Sequence, residues 1–223
     1  MNQRPTFLYD IETEFNRRLA GLAEPDIGAL AIWNQAVESI PEQAVRQCNL
    51  VAFEFAKSIA YRHSGMASEI YFCHPMRVAA LSILACNATE PEIGVVGLLH
   101  NVLEVSAVTH SELVKKFGNS VAEQVACLTV DRKLEWDKAY KAFYYLRINE
   151  GPRAARIVKI FDKLDNIFLI NQNPSIQIRV QYLQEIEDHV VPMAQREFPD
   201  VAYYIERIMA FIRTNDQDAH NHR

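Results

Sequence analysis

Gly97-Leu98-Leu99-His100-Asn101-Val102-Leu103-Glu104 sets two polar, metal-capable residues and an acid into an otherwise apolar run. Glu90-Pro91-Glu92 precedes it and suits the opening of a helix, because acidic side chains in a first turn complement the helix dipole. A continuous helix from there puts His100 and Glu104 four residues apart on one face. Upstream lies His74-Pro75, and downstream Asp162-Lys163-Leu164-Asp165-Asn166. Proline is favourable in a first helical turn, so a helix is expected from near Pro75 with His74 at its start. A later helix over 153–170 carries Asp162 and Asn166 on one face. A divalent transition metal takes neutral imidazoles and carboxylates held on separate rigid elements, with positions left open for water and substrate. His74, His100 and Asp162 supply that set. The competing explanation is bland: a histidine among apolar residues is commonly a hydrogen-bonded core group, and Asp162 beside Lys163 can be a surface acid.

The rest of the chain sets the context. Its 223 residues carry a net charge of −5 and are 49% hydrophobic, which fits one soluble domain with a sizeable core. Seven glycines, nine prolines and apolar residues at three- and four-residue spacing predict an all-α protein. Helices are expected over residues 26–40 and 41–60, after Thr109 or Ser111 as cap, over 120–132 and 135–149, and from Ser175 toward 214 with breaks near Pro192 and Pro199. Phe7, Leu8, Ile11, Phe15 and Leu19 form a first helical stripe. The acidic balance gives no reason to bind nucleic acid or an anionic membrane, though a local cationic pocket can hold a phosphate. Cys48, Cys73, Cys86 and Cys127 form no C-x-x-C pair and read as buried free thiols. No apolar run has the length of a signal peptide core or membrane span, so the expected location is the cytoplasm. Glu185, Glu187 and Asp188 read as a patch facing water. The segment from 215 to 223, with His220 and His222, reads as a polar tail.

The motifs and their order carry a resemblance. Arg62-His63, Tyr71-x-x-His74-Pro75-x-x-Val78-Ala79 and the stretch from Gly97 to Glu104 are followed by Thr109-x-x-Glu112-Leu113-x-x-x-Phe117-Gly118-x-x-Val121-Ala122. Leu128-Thr129 and Val158-Lys159-Ile160-x-Asp162-Lys163-Leu164-x-Asn166 complete the series. Together they resemble the hydrolase half of the RelA/SpoT-homologue family, within the HD phosphohydrolase superfamily. The resemblance covers residues 50–170. It implies an all-helical HD-type bundle around one metal, commonly manganese, that removes pyrophosphate from the 3′ position of guanosine tetra- or pentaphosphate. It divides the chain into an N-terminal helical extension (1–45), an HD-type core (46–172) and C-terminal helices with a polar tail (173–223).

Carried over by position, the resemblance makes His74, His100, Asn101 and Asp162 the metal ligands and Glu104 the catalytic base. Arg62, Lys159 and Asn166 become contacts to a small phosphorylated nucleotide, and Lys163 is a further cationic candidate. Three departures accompany the match. Asn101 stands where the family carries aspartate, and offers a carbonyl oxygen without charge. Val105 stands where the family completes a Glu-Asp pair, and transfers no proton. The loop 64–70 is short and has no base where the family places nucleotide-binding cations. Two functions therefore stand side by side: a divergent metal-dependent phosphohydrolase, and a catalytically degenerate HD-type domain that binds a ligand or a protein. The sequence leaves the oligomeric state open.

Overall fold

A computed structural model describes residues 9–62 and 66–221, with side chains through residue 215. All regular elements among the described residues are helical, in agreement with the all-α expectation. In chain order they begin with α1 (Ile11–Ala20), α2 (Ile27–Glu38), α3 (Gln43–Lys57), α4 (Ser68–Ala85), α5 (Ile93–Leu99) and α6 (Val102–Val105). Then come α7 (His110–Leu128), α8 (Lys138–Glu150), α9 (Arg153–Ile167), α10 (Ile176–Glu185), α11 (Val191–Glu197) and α12 (Pro199–Asn221). His63, Ser64 and Gly65 of the loop, Phe7 and Leu8 of the first stripe, and His222 lie outside the described residues.

The chain forms two compact units. One holds Gly21–Asp162, and the other joins the described residues up to Ala20 to those from Lys163 onward. The division falls inside α9, whereas the segments read from the sequence follow motif coverage.

In the Gly21–Asp162 unit, α4 is the central helix and packs against α2 and α5, while α3 and α7 lie against α5. Its residues explain that position: Phe72, Cys73, Met76, Val78, Ala79, Ala80, Leu81 and Ile83 are all buried, so α4 is apolar around most of its circumference. Stacked Trp33 and Phe53, with Phe72 edge-on to Phe53, join α2, α3 and α4. A capping box at Thr109 starts α7, where Glu112 N donates to Thr109 Oγ1 and Thr109 N to a Glu112 oxygen. Gly118, at φ +85°, bends α7 where the sequence predicts two helices; only glycine adopts this angle without strain.

Two expectations are corrected here. α4 begins at Ser68, so Pro75 lies inside it and His74 sits in mid-helix. The true start is capped by Ala67 with no side-chain hydrogen bond, so the sequence carries no start signal there, and the interior proline costs one rung of helical hydrogen bonding. The helix containing His100 is not continuous either. Asn101 adopts φ −117° and ψ 2°, which separates α5 from α6 and takes His100 and Glu104 off a common helical face.

In the other unit, Phe15 of α1 packs on Phe168 and Phe211, and Tyr204 Oη donates to the Tyr9 carbonyl. Ser175, where a helical region is expected to begin, caps α10, and a single π-helical turn, Ile186–Val190, leads into α11. Glu185, read as facing water, is buried and pairs with Lys163 at 2.8 Å. Helix α12 continues to Asn221, so most of the segment read as a tail is helical. Cys73 and Cys86 are buried free thiols as expected, but Cys48 is exposed.

Candidate metal centre

Three helices bring His74, His100 and Asp162 together: His74 from α4, His100 from the end of α5, and Asp162 from α9. Their ligand atoms all lie within 4.8 Å of one another. His74 Nε2 is 3.2 Å from His100 Nε2, and these nitrogens lie 3.4 and 3.5 Å from Asp162 Oδ1. Three donors each about 2.1 Å from one ion, at angles between right and tetrahedral, lie about 3.0–3.4 Å apart, so the triangle fits a shared cation. Residues 26 and 62 positions apart in the chain thus meet as the motifs led one to expect.

The surroundings tune these atoms. His100 Nδ1 lies 2.7 Å from the Gly97 carbonyl oxygen, which can only accept, so Nδ1 carries the proton and Nε2 keeps its lone pair for a ligand. Asp162 divides its two oxygens, Oδ1 toward the imidazoles and Oδ2 to Lys159 Nζ at 2.8 Å. Burial pushes the Asp162 carboxyl up, but the Lys159 ammonium and the neighbouring imidazoles outweigh it and hold the group well below the usual carboxylate range. The sequence offers Lys159 as a nucleotide contact; the structure places it 4% exposed, against Asp162 and the Tyr144 ring.

Asn101 follows His100 in the chain, and its two amide atoms differ in their surroundings. Its Nδ2 donates to Tyr71 Oη at 2.5 Å, while its Oδ1 is buried with no hydrogen-bond partner. An amide oxygen left so costs about 1–3 kcal/mol, and a cation is the partner that this donor set suits. Burial, with the Asp162 and Glu104 charges nearby, holds the Tyr71 phenol well above its usual range, so it stays a hydroxyl.

Glu104 is firmly held. Its Oε1 accepts from Val130 N at 2.7 Å, and its Oε2 pairs with Arg132 at 2.8 Å. Each carboxylate oxygen has two acceptor sites, so both retain capacity for a water. Val105, in the position next to it, is buried, and its carbonyl accepts from Arg62 N at 2.6 Å. The Arg62 residue itself is exposed. Asn166 lies one turn beyond Asp162 on α9, past the boundary between the units. Sequence reasoning passed over Tyr71 and Arg132 as partners of the site. The Tyr71-x-x-His74 spacing, one helical turn, was the available signal for the first; Arg132, read from the sequence as the last residue of a helix over 120–132, lies past the end of α7 at Leu128, so its expected register gave none.

Gly97 shows why the two histidine helices approach so closely. A Cβ there would stand 2.6 Å from Ala79 Cα and 3.0 Å from Ala79 Cβ, against the backbone of α4. Gly97→Ala is therefore expected to push α5 from α4 and lower stability by about 1–3 kcal/mol. Thermal unfolding measures this, and an unchanged melting temperature would show that the helices can part without cost.

The all-helical architecture has a counterpart among solved structures. A solved structure of a metazoan ortholog of SpoT, described as hydrolysing ppGpp, superposes with a TM-score of 0.59 over 76% of this chain and 96% of that one, at 21% identity. In sequence, the chain is 32% identical over 120 residues to guanosine-3′,5′-bis(diphosphate) 3′-pyrophosphohydrolase of Aquifex aeolicus, covering 52% of this chain and 17% of that protein. It is 29% identical over 125 residues to the corresponding enzyme MESH1 of Danio rerio, covering 55% and 67%. A probable enzyme of the same name from Mycoplasma genitalium is 30% identical over 134 residues, of which the chain spans 18% of the length. No family model matches the chain. The chain is thus similar in sequence to guanosine-3′,5′-bis(diphosphate) 3′-pyrophosphohydrolases and shares their helical fold, as its motifs imply. No helix among the described residues is long and apolar enough to cross a membrane.

Proposed function

We propose that the chain is a divergent, metal-dependent HD-type phosphohydrolase of the cytoplasm that acts on guanosine 3′,5′-bis(diphosphate) or a close relative. The observation that carries this reading is the convergence of His74, His100 and Asp162 within 4.8 Å, in a chain similar to named pyrophosphohydrolases of that nucleotide. His74, His100, Asp162 and the Asn101 oxygen would hold a divalent ion, manganese by family resemblance. The chemistry such an ion supplies is an acidified water and neutralised charge on phosphoryl oxygens.

The chain's own residues do the rest. Lys159 anchors Asp162 Oδ2 and so fixes which oxygen meets the imidazoles. The Gly97 carbonyl fixes the His100 tautomer. Glu104, held by Val130 N–H and Arg132, takes the proton of the attacking water on a free acceptor site of its carboxylate. Water then adds across the bond between the 3′ oxygen and its diphosphate, leaving guanosine 5′-diphosphate and pyrophosphate. Arg62 is exposed and would meet phosphate in this scheme.

The test is manganese-dependent pyrophosphate release from guanosine 3′,5′-bis(diphosphate) by the purified chain. Glu104→Gln should lower the rate by about 100-fold or more, the usual worth of a positioned base. A second reading, a non-catalytic domain that binds the nucleotide or a protein, draws on the buried Val105 and on the absence of Lys or Arg between 64 and 70. Metal uptake and nucleotide binding without any phosphate release would select it.

A further inference from the structure

We propose that Tyr71 is a positioning residue that turns the Asn101 side chain so that its oxygen, not its nitrogen, serves the metal cluster. This rests on the metal-centre reading above. A carboxylate presents an oxygen whichever way it turns, but an amide presents an oxygen on one side and an NH2 group on the other. A chain with asparagine at this position needs something to decide between the two, since an NH2 group repels a cation.

Tyr71 supplies the decision. It lies one turn before His74 on α4, with the two rings 6.1 Å apart, so the phenol is built into the same helix as a ligand. Asn101 Nδ2 donates to Tyr71 Oη, which occupies the amide's nitrogen end and leaves Oδ1 buried and without a partner. Tyr71 is itself held: it is 8% exposed and its ring packs 4.9 Å from that of Tyr61. The break between α5 and α6 at Asn101 sets the amide against this ring. An isolated asparagine would relieve its orphan oxygen by reversing the amide and accepting from the phenol. The observed arrangement keeps the oxygen available at a cost that a bound cation offsets.

The experiment is a double-mutant cycle read as manganese affinity, by titration followed with electron paramagnetic resonance. Tyr71→Phe removes only the hydroxyl and is expected to weaken manganese binding about 10-fold or more, the lower end for loss of a group that orients a ligand. In an Asn101→Asp background, the same substitution should change affinity less than about threefold, because a carboxylate needs no such orientation. Asn101→Leu, which has no oxygen to orient, should weaken binding at least as much and make Tyr71→Phe silent. Melting of the metal-free variants separates a plain loss of packing, which lowers stability equally in every background. If the wild-type chain binds manganese and Tyr71→Phe has no effect, or has the same effect in the wild-type and Asn101→Asp backgrounds, the inference is overturned alone. A wild-type chain that takes up no manganese overturns the metal-centre reading and this inference with it.

Discussion

Asp162→Asn is expected to weaken manganese binding roughly a thousandfold. Asp162 is the only carboxylate in the cluster of His74, His100 and Asp162, and the fourth donor of the resemblance, Asn101, is neutral. At an effective dielectric of about 20, a unit charge pair 4 Å apart is worth about 4 kcal/mol, which is about three powers of ten in affinity. The change removes more than an attraction. Lys159, 4% exposed and paired to Asp162 Oδ2, would be left as a buried ammonium beside the two imidazoles and would repel an incoming cation. The counter-experiment is Lys159→Met, which frees Asp162 from its internal cation. It should raise manganese affinity while lowering the stability of the metal-free protein. Isothermal titration of both variants is decisive: equal affinities for wild type and Asp162→Asn would mean that the cluster is a hydrogen-bonded core and not a metal site.

Much of this arrangement was legible in the sequence because it is carried by local signals in a fixed order. His74-Pro75, His100-Asn101 and Asp162 are separated by whole helices, and the family resemblance that these motifs carry implied the meeting that the structure contains. The helix starts at Thr109 and Ser175 were equally readable, since each has a side chain that caps. The start at Ser68 was not, because Ala67 makes no side-chain cap and Pro75 supplies a stronger but misleading signal. The break at Asn101 was hidden for a related reason: no glycine or proline marks it. Charged residues were harder still. Lys159 reads from the sequence as a phosphate contact and Glu185 as solvated, yet both are buried in ion pairs. Helical periodicity tells which face an ion lies on; only a partner distant in the chain tells whether that face is wet.

Asp165→Ala is expected to destabilise the fold by about 3–5 kcal/mol, the usual cost of removing one member of a buried ion pair. Asp165 is 2% exposed and pairs with Arg18 of α1, which is 5% exposed and also bonded to Glu14 Oε1 at 2.6 Å. The Arg18 guanidinium lies 5.6 Å from the centre of the Phe168 ring, within an apolar setting that offers it little water. Truncating Asp165 thus leaves Arg18 with Glu14 alone, and the desolvation cost of the guanidinium is no longer offset by two carboxylates. Arg17 holds Glu14 as well, at 2.7 Å, so the remaining carboxylate is already shared. The contrast with Asp162 is informative, because the two aspartates stand three residues apart in one motif. Asp165→Ala should shift the urea midpoint strongly and leave the manganese affinity of the still-folded protein within about threefold of wild type. Asp162→Asn, which strands the buried Lys159 ammonium, should instead lower both stability and manganese affinity. Loss of metal binding on both substitutions would mean that the two aspartates do not have separate tasks.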